Sequence, residues 1–196
     1  QSDQQQEGLD YLKRAKRHNA DNPRVSFLRA QLSIQQENFR DAKRHLLIMA
    51  QQDEQLVPEI IQPLRLCFTQ LGDIDGWRAW LNQAMTEYPS SSLLLAQAHE
   101  IGQQNDSEAA SYLTENLRQR PSLKGFNYLI DLHMQWASEN AKDSLQVLKG
   151  LTVALQRSKP HYRCRQCGFA GNSMHWQCPS CHQWGSTKPI YGLEGE

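Results

Sequence analysis

From its start to Lys159 this chain carries turn signals at a nearly fixed interval, and that recurrence limits the possible folds more than any other feature. Pro23 to Pro89 covers two intervals and Pro89 to Pro121 one, each of about 33 to 34 residues. Gln36-Glu37-Asn38-Phe39 and Leu71-Gly72-Asp73-Ile74 keep the same phase, one interval apart. Helix-length segments lie between these marks. They are filled with straight-chain residues: 24 Leu and 23 Gln stand against only 17 Val, Ile and Thr combined in 196 residues. Unbranched side chains lose little rotamer freedom in a helix, whereas β-branched ones favour strands, so most of the chain is expected to be helical. A large β-sheet protein is excluded. The length allows one core of ordinary size and a small appendage.

A period of about 34 residues in a helical chain is the signature of a tetratricopeptide array, whose helix pairs cannot bury their apolar faces alone and therefore stack. The resemblance can be followed by position. The repeat from Pro23 to about Leu56 keeps Ala30, Phe39 and Ala42, and that from Pro58 to Pro89 keeps Leu64, Phe68, Gly72, Ala84 and Pro89. The second repeat departs by carrying Trp77 where Ala is usual and Arg65 where Gly is usual. A third, from Ser90 to Pro121, keeps Ala109 and Leu113. Gly8 to Pro23 resembles the second helix of a repeat whose first is missing; with no initiator Met, the chain reads as a fragment. A non-repetitive helical bundle is the competing reading. Residues 122–159 continue as two helical segments broken around Ala137-Ser138-Glu139-Asn140, and Leu145, Leu148, Leu151 and Leu155 are expected to form a buried stripe.

After Pro160 the composition turns abruptly to Cys, Gly, Trp and Pro, which sets the expected domains at 1–159 and 160–196. Four of the five cysteines fall here, as Cys164-Arg165-Gln166-Cys167 and Cys178-Pro179-Ser180-Cys181. Two such pairs in an otherwise cysteine-poor chain indicate a metal site in a reducing compartment rather than a disulfide framework. Each Cys-x-x-Cys lets two thiolates converge on one ion, and two together complete a tetrahedral four-sulfur shell. The expected ligands are Cys164, Cys167, Cys178 and Cys181, holding one Zn²⁺. Iron suits the same shell, although the ten-residue insert leaves little protein to shield a redox centre. Gly168 supplies the positive φ needed after the first pair, and His182 stands in the equivalent place of the second. His175 and His182 read as surface or supporting residues, since four thiolates are already available. Phe169, Trp176 and Trp184 exceed what such a ribbon can bury, so they are expected to dock it on the last helices or to face a partner. The segment resembles the zinc-ribbon and rubredoxin-like class. The resulting fold class is all-α: a tetratricopeptide-repeat helical solenoid with a small C-terminal rubredoxin-like metal ribbon.

Several functions are disfavoured. No phosphate loop, HExxH helix or GxSxG elbow is present, and a closed four-thiolate site cannot activate water, so an enzyme is not expected. Lys plus Arg and Asp plus Glu both number 21, and from Pro160 onward only Arg163, Arg165 and Lys188 are basic, too little charge for a phosphate backbone. The run Lys13-Arg14-Lys16-Arg17 reads as a solvated helix face. Lone Cys67 reads as a buried structural thiol. Residues 1–50 sum to +3 and residues 51–100 to −5, a polarity suited to holding protein segments. In the tetratricopeptide register Arg24, Gln31, Glu59 and Gln62 would line the partner-binding groove.

Degenerate helical repeats running into Tyr162-Arg163-Cys164-Arg165-Gln166-Cys167-Gly168-Phe169 and His175-Trp176-Gln177-Cys178-Pro179-Ser180-Cys181 resemble the lipopolysaccharide assembly protein B family of Gram-negative bacteria. The resemblance implies a cytoplasm-facing inner-membrane adapter, anchored by an N-terminal helix absent here. It implies partners too: a membrane AAA protease and the lipid A deacetylase whose degradation it promotes. Other lipopolysaccharide assembly or inner-membrane proteins are further candidate partners, and whether the protein forms a homodimer is left open by the sequence. A redox-responsive metal-thiolate switch is the alternative, with a nucleic-acid scaffold behind it.

Overall fold

The computed structural model describes residues 2–19, 21–193 and 195, the side chains of residues 2–6, 9 and 16 excepted. Its helices are α1 (Ser2–His18), α2 (Pro23–Gln35), α3 (Phe39–Gln52), α4 (Val57–Gln70), α5 (Ile74–Glu87), α6 (Ser91–Gly102), α7 (Asp106–Gln119), α8 (Leu123–Trp136) and α9 (Glu139–Arg157). Strands β1 (Tyr162–Cys164), β2 (Ala170–Gly171) and β3 (Thr187–Pro189) follow. The even-numbered helices begin at Pro23, Val57, Ser91 and Leu123, which keeps the interval set by the prolines and turns. The chain is a helical solenoid ending in a small ribbon. Among the described residues no helix is long and apolar enough to cross a membrane.

Local chemistry explains where the helices start. A helix leaves its first N–H groups without intrahelical acceptors, and Asn and Ser side chains supply them. The Asn22 side chain accepts from the Arg24 N–H, Asn38 from Asp41, Ser90 from Leu93, Asn105 from Ser107 and Glu108, and Ser122 from Gly125. Asp73 does the same for α5, its Oδ1 accepting from the Gly76 N–H at 3.1 Å while Oδ2 accepts from Lys43 Nζ at 3.0 Å. Positive φ at Gly72 (68°) turns the chain between α4 and α5.

The chain divides into two compact units, Gln1–Trp80 and Leu81–Glu196. In the first, α2 packs on α1 and α3, and α3 on α4. Its core gathers Leu46, Met49, Ile60, Leu64, Cys67 and Trp77, all fully buried. Trp77 occupies the place of a small residue by stacking on Trp80 (5.5 Å between centroids) and tilting against Phe68 (6.0 Å). Phe68 in turn receives the Lys43 ammonium 4.5 Å from its ring centre. Burial pushes the Cys67 thiol up, against the opposing Lys43 charge, as befits a packing residue.

In the second unit α6, α7 and α8 pack together around Leu94, Ala98, Ala109, Leu113, Leu117 and Leu132, and α9 packs on α8. Gly125 allows the close approach of α7 and α8: a Cβ there would stand 2.5 Å from Leu117 Cδ2. The Leu123 N–H at the head of α8 donates to the Leu193 carbonyl at 2.9 Å.

The leucines of α9 do not form a buried stripe. Leu148, Leu151 and Leu155 are 47 %, 65 % and 48 % exposed, and Leu145 is half-buried. The face that meets α8 is the polar one: Lys149 pairs with Asp131, Asn127 donates to Gln156 at 2.8 Å, and Thr152 donates to Asn127. Helical spacing reveals that an apolar face exists; the polar contacts to α8 turn that face to solvent.

Candidate metal centre

Two short backbone loops build the site, and they are near copies of each other. In the first, the Gly168 N–H donates to the Cys164 carbonyl at 3.0 Å and the Cys164 N–H to the Phe169 carbonyl at 2.7 Å. In the second, the His182 N–H donates to the Cys178 carbonyl at 2.9 Å and the Cys178 N–H to the Gln183 carbonyl at 3.0 Å. Each loop closes through a residue of positive φ, 79° at Gly168 and 57° at His182, so the second carries strain that glycine avoids in the first.

A three-stranded antiparallel sheet of order β2-β1-β3 presents the first loop. Tyr162 pairs with Gly171 and Pro189, and Cys164, at the end of β1, pairs with Thr187. The Arg165 N–H donates to the Ser186 carbonyl at 2.8 Å, and the Gly185 N–H to the Trp176 carbonyl at 2.8 Å, which brings the second loop alongside.

The four sulfurs of Cys164, Cys167, Cys178 and Cys181 all lie within 4.8 Å of one another. Cys164 and Cys181 are 3.7 Å apart, as are Cys167 and Cys178, too far for disulfides. A tetrahedron built on metal–sulfur bonds of about 2.3 Å has edges of roughly 3.8 Å, so the cluster has the dimensions to hold one ion. The electrostatics favour deprotonation in part of the site. The Ser186 hydroxyl, 3.2 Å from Cys164 Sγ, and the Cys167 N–H draw the Cys164 thiol down to about 6. The Phe169 N–H lowers Cys167. Cys181 accepts from the Gln183 N–H, yet desolvation and the three neighbouring sulfurs push it up to about 12. Four thiolates this close repel one another, and a divalent cation relieves that repulsion.

His175 and His182 stand outside the cluster. His175 meets the Phe169 ring edge-on at 6.3 Å, and the His182 carbonyl accepts from Gln177 Nε2 at 3.1 Å. Arg163 and Arg165 are exposed. Phe169 and Trp176 are half-buried, while Trp184 is mostly exposed. Of the residues expected to contact partners, Arg24 and Gln31 lie on α2, Glu59 and Gln62 on α4; Gln31 and Gln62 are exposed, Arg24 and Glu59 half-buried. Ser186 is the contributor that spacing alone does not reveal, since its place beside Cys164 depends on the pairing of β1 with β3.

Residues 162–189 match the rubredoxin metal-binding domain family. Over 196 residues, 99 % of this chain, the sequence is 35 % identical to lipopolysaccharide assembly protein B of Escherichia coli K12. The chain is homologous to lipopolysaccharide assembly protein B. It is also 28 % identical over 173 residues, 87 % of this chain, to the protein of that name from Haemophilus influenzae. It covers 50 % of the first relative and 44 % of the second, so it spans about half the length of the curated relatives it matches.

Proposed function

We propose that this protein is a non-enzymatic adapter that restrains lipopolysaccharide synthesis by bringing the lipid A deacetylase to a membrane AAA protease. The observation that supports this most is homology, across nearly the whole chain, to proteins named for lipopolysaccharide assembly. In this reading residues 1–159 form a tetratricopeptide array that holds partners, with Arg24, Gln31, Glu59 and Gln62 among the contacts. Residues 160–196 form a separate ribbon in which Cys164, Cys167, Cys178 and Cys181 bind one Zn²⁺, with Fe the alternative. The protein works at the cytoplasmic side of the inner membrane, held by an N-terminal anchor of its full-length form, as a monomer or homodimer. The ion supplies rigidity; Ser186 and the backbone N–H groups orient the sulfurs that receive it.

Affinity capture from membranes with the full-length protein, followed by mass spectrometry, tests the adapter reading. Protease and deacetylase should be enriched by wild type and weakened by Cys178→Ser. Enrichment of neither would overturn it. A second reading, a redox-responsive switch, draws support from Cys167, which is exposed and whose thiol the Phe169 N–H draws below its ordinary value. It requires that mild peroxide release the metal and alter partner capture; retention of both would remove it.

A further inference from the structure

The face of α9 opposite its contacts with α8 lies open to solvent, and its residues follow a pattern. Val147, 66 % exposed, joins Leu148, Leu151 and Leu155 there. About Leu151 the stripe reads nearly alike in both directions: Val147 and Leu155 stand four residues to either side, Ser144 and Ser158 seven, and all are exposed. A second α9 turned end for end therefore presents the same stripe.

The charges of α9 share this symmetry. Five of its side chains are charged. Lys142 pairs with Glu139, and Lys149 with Asp131 of α8. Asp143 and Arg157 are exposed, and neither has an ion-pair or hydrogen-bond partner among the described residues. They stand seven residues before and after Gly150. Seven residues fall about 20° short of two full turns, so Asp143, Gly150 and Arg157 run in one line along the helix, beside the leucines. Nothing within the chain calls for glycine at the middle of that line: a Cβ at Gly150 would meet no atom within 4 Å. Glycine there weakens the helix and relieves no contact of its own.

We propose that α9 pairs with α9 of a second copy of this chain, antiparallel about a two-fold axis beside Gly150. A two-fold interface needs one patch that is complementary to itself, and this one is. Asp143 meets Arg157 of the partner subunit, and the same pair recurs on the other side of the axis, each about 10 Å from it at about 1.5 Å per residue. The leucines of one stripe cover those of the other. The two glycines meet at the centre, where the absence of side chains lets the backbones come close. A parallel pair in register would set Asp143 level with Asp143 and Arg157 level with Arg157, so the charges select the antiparallel arrangement. A single helix pair buries less than the roughly 1,200 Å² of a stable complex, so the two copies associate reversibly. The interface goes beyond the adapter reading and decides between the monomer and the homodimer named there.

Sedimentation equilibrium of the full chain in zinc-containing buffer tests the interface. Wild type should show a concentration-dependent monomer–dimer equilibrium, and Leu151→Gln should abolish it. Asp143→Arg and Arg157→Asp each set like charges against one another. Each should weaken association by about two- to thirtyfold, the range for two exposed ion pairs lost together. The double variant exchanges the two charges and should recover wild-type association. Gly150→Gln should weaken the dimer yet raise the helical melting temperature of dilute protein, since glutamine favours a helix more than glycine does. All these positions lie at the surface, so every variant should keep its metal and its helical signal. Wild-type protein that stays monomeric up to NMR concentrations would overturn the proposal, even where the face captured a different protein. So would a dimer indifferent to Leu151→Gln, or a double variant that fails to recover. Membrane capture judges the adapter reading separately: protein that dimerises but enriches neither protease nor deacetylase loses that reading and keeps this interface.

Discussion

In the helical hairpins of the first unit the fully buried side chains include Trp77, Leu46, Met49, Ile60 and Leu64, whereas in the ribbon Cys164, Cys178 and Thr187 are the most deeply buried. The hairpins draw stability from many apolar contacts, each worth little and together hard to remove. The ribbon, with few apolar side chains inside, depends on four sulfurs and whatever ion they bind. Damage should therefore be graded in the hairpins and all-or-none in the ribbon.

The largest effect expected is on the ribbon. Structural zinc contributes about 10–16 kcal/mol to folding in small metal-dependent modules, so Cys178→Ser or chelation should unfold it. Metal content by mass spectrometry should fall to zero and the amide signals of residues 161–190 should collapse, while helical circular dichroism persists. A ribbon that stays folded without metal would erase the contrast. Next comes Trp77→Ala, which should destabilise the hairpins by about 3–5 kcal/mol through the cavity it opens. The urea midpoint of the helical signal should drop with metal content unchanged.

The two knuckles permit a finer comparison. A non-glycine residue at positive φ costs about 1–2 kcal/mol, so Gly168→Ala should weaken metal binding by about tenfold. His182→Gly should strengthen it several-fold, measured by competition with a chelator. The smallest effect belongs to Asp73. The hydrogen bond from Lys43 outweighs desolvation and, with the Gly76 N–H, holds its carboxyl below the usual carboxylate range. A lowered folded value means that its contribution is fully present above the ordinary pKa of about 4 and disappears as pH falls through the lowered one. Asp73→Ala should lower the urea midpoint slightly at neutral pH, with the gap closing in acid.

The spacing of Pro23, Pro89 and Pro121 already places the helical repeat, because turn residues and caps act locally. The four cysteines are legible for the same reason: each loop closes within a few positions of its own cysteines. What cannot be read is decided by neighbours distant in the chain. The leucines of α9 announce an apolar face, but Asp131 and Asn127 on α8 determine which face packs.

The bond from the Leu123 N–H to the Leu193 carbonyl joins residues that are far apart in the order of synthesis. The first turn of α8 emerges from the ribosome long before its acceptor exists. During translation that N–H must rest on water, and it gains its native acceptor only after the whole ribbon has been made. The head of α8 thus becomes a checkpoint on completion of the ribbon: protease nicking or hydrogen exchange at residues 122–126 in stalled nascent chains would report whether Leu193 has arrived.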